Sequence, residues 1–80
     1  MVGNMIYLLF RQDLKRGGIV LIAPHATYDG VRDHMQDIED YCEKYGLPFK
    51  RGADGSLTTS GIGGGKMKWY YFVSTRTIEK

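Results

Sequence analysis

Eighty residues, 42% of them apolar and 25% charged, make one small domain spanning 1 to 80, and a chain this short needs an economical core. That apolar content, with a net charge of only +2, excludes a disordered chain. The apolar start, MVGNMIYLLF, is far shorter than the roughly 20 residues that span a bilayer and has no positive leader or small-residue cleavage site, so a cytoplasmic protein without a membrane partner is expected.

Residues 4 to 16, NMIYLLFRQDLKR, read two ways. As a helix, Asn4 caps the start, Met5, Leu8, Leu9 and Gln12 or Ile6, Leu9, Phe10 and Leu14 fall at helical spacing, and Gly17 closes the end behind basic Lys15 and Arg16. As a strand, MIYLLF is a continuous apolar run followed by a loop. The punctuation by Asn4 and Gly17-Gly18 favours the helix, and the strand reading stays open. Next, GIVLIAP from Gly18 to Pro24 is apolar without alternation, the pattern of a strand covered on both faces in the middle of a sheet.

The clearest element runs from Thr27 to Pro48. Val31, Met35, Ile38, Cys42 and Tyr45 recur at helical steps, Thr27 or Asp29 caps the first turn, Gly46 takes the left-handed position after the last, and Pro48 ends the ladder. Beyond it, Phe49 to Arg51 is extended, Ala53-Asp54-Gly55 is a turn, and Leu57-Thr58-Thr59 alternates, which predicts a hairpin. Gly61 to Gly65 predicts a mobile connection to a strand from Lys66 to Thr75, with Met67, Trp69, Tyr71 and Val73 on one face and Lys68, Tyr70, Phe72 and Ser74 on the other. The expected fold is α/β (α+β): helix-strand-helix followed by a three-stranded antiparallel meander, with the helices packed on one sheet.

Charge is distributed in blocks: +2 over residues 1 to 27, −4 over 28 to 45 and +4 over 46 to 80. Carboxylates early in a helix also suit its dipole, so the acidic block reads equally as a solvated face. Few residues offer chemistry. The run Gly61 to Lys66 has glycines and a lysine, as a phosphate needs, but Ser60 holds the first glycine position of a P-loop, Met67 follows the lysine, and a strand comes next instead of a helix. His25 and His34 are nine residues apart and Cys42 is the single cysteine, so no metal site, disulfide or activated nucleophile is expected, and the thiol fits a reducing compartment as a core residue. The basic, aromatic C-terminal segment is the main binding candidate. Lys50, Arg51, Lys66, Lys68 and Arg76 can meet phosphates and Tyr70 and Phe72 can stack on unpaired bases, unless the first helix covers those rings as core.

Taken together, LKRGGIVLIAP at 14 to 24, the helix from Thr27, GLPFKRGADGSLTTS at 46 to 60 and KWYYFVSTRTIEK at 68 to 80 resemble a slice of the ATPase domain of phage large terminase subunits, the DNA-packaging motors. Met-Val-Gly at 1 to 3 stands where that family carries Gly-Lys-Thr, and no acidic strand end for magnesium follows. The resemblance implies a P-loop scaffold without its Walker motifs, no nucleotide cofactor and no catalytic residue, a segment near His25 and Thr27 close to nucleic acid, and sheet edges open to a second chain, including a homo-oligomer. The expectation is therefore a small non-enzymatic phage-type protein that binds nucleic acid through Lys50, Arg51, Lys66, Lys68, Tyr70 and Arg76. The alternative is a phage-encoded interaction or inhibitor protein docking on a larger host or phage enzyme through Asp33, Asp37 and Asp40 on the acidic helix, or through an exposed strand edge.

Overall fold

A computed structural model describes residues 4 to 60 and 66 to 78; the expected Gly61 to Gly65 connection and the Met-Val-Gly start lie outside them. The elements are β1 (Asn4–Asp13), β2 (Ile19–His25), α1 (Tyr28–Lys44), β3 (Phe49–Arg51), β4 (Leu57–Ser60) and β5 (Met67–Ile78). The strands form one antiparallel sheet in the order β2-β1-β5-β4-β3, and α1 lies on one of its faces.

The expected first helix is a strand. One helix on a five-stranded sheet thus replaces the helix-strand-helix and three-stranded meander anticipated from the sequence. The reason is positional: β1 lies between β2 and β5, with Tyr7, Leu9 and Arg11 on the helix side and Leu8, Phe10 and Gln12 on the other. A strand apolar on both sides shows no alternation, and the remaining cues imitated a helix end. Those cues build a hairpin turn. The Asp13 carboxylate accepts from the amides of Lys15 at 2.9 Å and Arg16 at 3.1 Å, and Gly17 donates to the Asp13 carbonyl at 2.6 Å. Gly17 has φ +84°, the left-handed conformation that a helix C′ position would also have required. The helix leading into a strand that the terminase resemblance implied for 14 to 24 is likewise an antiparallel hairpin.

β2 departs from expectation too. Its apolar run sits at the sheet edge, paired among the described residues to β1 alone, and Ile19, Val20 and Leu21 are exposed. A register shift between Leu9 and Phe10 lets Ile22 turn toward the core.

Within α1, the Thr27 hydroxyl accepts from the Gly30 amide at 3.0 Å and closes the N-terminus, while Gly46 at φ +67° takes the left-handed position beyond the Tyr45 cap. Val31, Met35 and Cys42 are buried, and the core is completed by Leu9 and Leu57, with Tyr7, Ile22, Ile38, Phe49 and Tyr71 around it. Tyr45, the last residue of the predicted apolar stripe, lies past the helix and is exposed. Among the described residues no helix is long and apolar enough to cross a membrane.

Two carboxylates fasten turns, one in each hairpin. At Asp13 the Arg16 amide chiefly, then the Lys15 amide, hold the carboxyl below its ordinary range; at Asp54 the Ser56 hydroxyl, 2.6 Å away, and the Ser56 amide do the same. A folded-state value below the unfolded one gives stability that is present above the unfolded value and is lost as pH falls through the folded one. The thermal midpoint is therefore expected to drop as the pH is taken below about 4, and Asp13→Asn or Asp54→Asn should make that drop shallower in melts monitored by circular dichroism. An unchanged slope in both variants would refute this account of the turns.

Candidate nucleic-acid interface

Strand pairing fixes what the second face of the sheet presents, because residues opposite one another in an antiparallel ladder point the same way. Lys50 of β3 stands opposite Thr58 of β4, which stands opposite Tyr70 of β5, followed by Gln12 of β1 and Ile19 of β2. One step along, Phe72 stands opposite Phe10, and Phe10 opposite Leu21. Every one of these side chains lies on the side away from α1, which packs over Leu9, Leu57 and Tyr71.

The aromatic residues form a stacked row. Phe10 and Phe72 have centroids 5.4 Å apart with 19° between their planes, and Tyr70 and Phe72 are 5.6 Å apart at 26°. Each ring is half-buried, with its aromatic neighbours at its side and no described element above it. With the first helix replaced by β1, nothing among the described elements covers Tyr70 and Phe72 in the way the sequence reading allowed.

Charge sorts by face. Arg76 follows Phe72 by two alternations and shares the open face with Lys50, whereas Lys68 stands at the register shift where β5 begins, its ammonium 5.2 Å from the centroid of the Trp69 ring at the rim of the sheet. Lys68 and Arg76 are about 26 Å apart along β5, at roughly 3.3 Å per residue. The register places no carboxylate on this face among residues 6 to 12, 19 to 24, 50, 58 and 68 to 76; Asp13 shares the helix side with Trp69, its partner on β5.

The sequence-derived set is thus brought together only in part. Lys50, Tyr70 and Arg76 share the face, while Lys68 lies at its rim against Trp69 and exposed Lys66 stands just before β5 at the same end. Arg51 does not belong to it: alternation turns it to the helix side, where it forms an ion pair with Glu39 of α1 and donates to the Gly55 carbonyl at 3.3 Å. Phe10 and Leu21 were missed, Phe10 because β1 was read as a helix. The signal that would have found it is the two-residue spacing of Ile6, Leu8, Phe10 and Gln12.

The acidic candidates stand on the opposite side of the molecule. Asp33, Asp37 and Asp40, at i, i+4 and i+7, are exposed along the back of α1, and Gln36 donates to Asp40 at 3.0 Å. The molecule therefore has an anionic helix back and a cationic, aromatic sheet face.

Other candidate chemistry falls on the helix side. His25 Nε2 lies 2.9 Å from Nδ1 of His34, which ties β2 to α1. Burial first, and Glu39 second, push the Cys42 thiol above its ordinary range, so it stays protonated at neutral pH as a core side chain. Among the described residues, no group of three or more His, Cys, Asp or Glu side chains is placed to hold a metal ion. No family model, curated protein or solved structure matches the chain.

Proposed function

We infer that this domain binds single-stranded nucleic acid on its open sheet face. The observation that carries the reading is the row Phe10-Phe72-Tyr70, uncovered among the described residues, on a face that carries Lys50 and Arg76, with Lys68 at its rim. Aromatic rings accept unpaired bases of any sequence, and lysine and arginine flanking them meet the phosphates. Among the described residues no helix projects from this face to enter the groove of a duplex, which favours single strands.

The test is fluorescence anisotropy with labelled oligothymidylate, oligouridylate and a duplex over a salt series. Three phosphate contacts to a single strand predict a log–log slope of about −2, hence roughly a twentyfold loss of affinity between 50 mM and 200 mM salt. A salt-independent signal, or preference for the duplex, would remove the proposal. A docked protein is the second reading, favoured by the exposed ridge of Asp33, Asp37 and Asp40. Changing all three to lysine would abolish such a complex and leave oligonucleotide binding on the far face in place.

A further inference from the structure

The two edges of the sheet differ in how they are guarded. β3 is three residues long, follows Pro48 and carries Lys50 and Arg51, features that discourage edge pairing. β2 has seven residues, its stretch from Ile19 to Ala23 holds no charge, and Ile19, Val20 and Leu21 are 55%, 47% and 51% exposed. Its backbone phase is fixed where the Asp13 amide donates to the Gly18 carbonyl at 2.8 Å. With Gln12 opposite Ile19, Arg11 opposite Val20 and Phe10 opposite Leu21, ladder alternation turns the amides and carbonyls of Ile19 and Leu21 away from β1, into the open edge.

The geometry points to a second copy of this chain as the occupant of that edge, β2 pairing antiparallel with its symmetry mate about a two-fold axis at Val20. That axis sets Ile19 against the partner's Leu21 and Leu21 against the partner's Ile19, each pair exchanging both backbone bonds, while Val20 meets its own counterpart in the closer, non-hydrogen-bonded position. The ladder ends before Pro24, which has no amide to extend it.

Charge selects this occupant. Exposed Lys15 and Arg16 occupy the turn at one end of β2, and α1 begins beyond the other end with exposed Asp29, which faces Arg32 at 3.4 Å, and exposed Asp33 one turn on. Antiparallel pairing brings the basic turn of each copy beside the acidic helix start of the other, and the two-fold repeats the match. The inference does not depend on nucleic acid, although the open faces of the two sheets would become continuous.

Sedimentation equilibrium of the full chain over a wide concentration range is expected to give twice the chain mass. Val20→Lys, which sets two ammonium groups opposite each other at a position already half exposed, should give the single-chain mass with an unchanged circular dichroism spectrum. Val20→Cys should form a disulfide-linked dimer on mild oxidation, because directly opposed non-hydrogen-bonded positions lie about 4.5 Å apart between Cα atoms. Buried Cys42 does not compete. If Val20→Lys does not fold, the Val20→Cys cross-link decides alone. A single-chain mass at every concentration, a dimer that survives Val20→Lys folded, or Val20→Cys that stays unlinked overturns the inference, as does an edge that pairs only with a chain of different composition.

Discussion

Leu9→Ala is expected to remove a large share of the domain's stability, whereas Leu8→Ala, one residue earlier, should remove little. Leu9 is completely buried where β1 crosses beneath α1, in contact with the cluster of Val31, Met35 and Leu57. Truncating such a leucine costs about 3 to 5 kcal/mol through lost transfer energy and the cavity left behind. A domain of this length has roughly 4 to 12 kcal/mol of total stability, so the loss takes away much of it. Leu8 lies half-buried on the open face with no second layer against it, and its truncation removes far less contact. A helix over residues 4 to 16 would have turned Leu8 and Leu9 toward one face and given the two variants similar costs. Urea titrations of both therefore test the strand assignment directly, and equal shifts in midpoint would contradict it.

That pair of neighbours also shows what the sequence disclosed. α1 was legible because three independent signals agreed: the Thr27 cap, the stripe Val31-Met35-Ile38-Cys42, and Gly46 before Pro48. β5 and the β3–β4 hairpin were legible because their alternation is visible, Lys68 and Tyr70 against Trp69 and Tyr71, and because Asp54-Gly55 has strong turn chemistry. β1 was not legible. It is apolar on both faces, and Asp13 to Gly17 uses for a hairpin the same basic residues and glycine that end a helix.

The error at β1 propagated to the site. Reading residues 4 to 16 as a helix supplied a false cover for Tyr70 and Phe72, hid Phe10, and moved β2 from the sheet edge to its middle. Single-residue alternation then separated Lys50 from Arg51, a distinction that composition cannot make and strand register makes at once.

The same distinction governs the other large expected effect. Phe72→Ala should weaken single-stranded binding by roughly fivefold to over a hundredfold, since one base stacked on one ring is worth about 1 to 3 kcal/mol. Phe72 is the choice because it is the central ring, within stacking distance of both Phe10 and Tyr70. Its loss opens the row at its middle, and the combined Tyr70→Ala, Phe72→Ala variant should fall further. Lys50→Gln should act differently, lowering affinity modestly and reducing the salt slope by about 0.7, the increment for one phosphate on a single strand. Arg51→Gln supplies the internal control: it has the same change in charge, but its side chain pairs with Glu39 on the helix side, so the slope should not move. A slope that falls equally for Lys50→Gln and Arg51→Gln would mean that net charge, rather than this face, attracts the strand. Full affinity in folded Phe72→Ala would show that the aromatic row does not stack on bases.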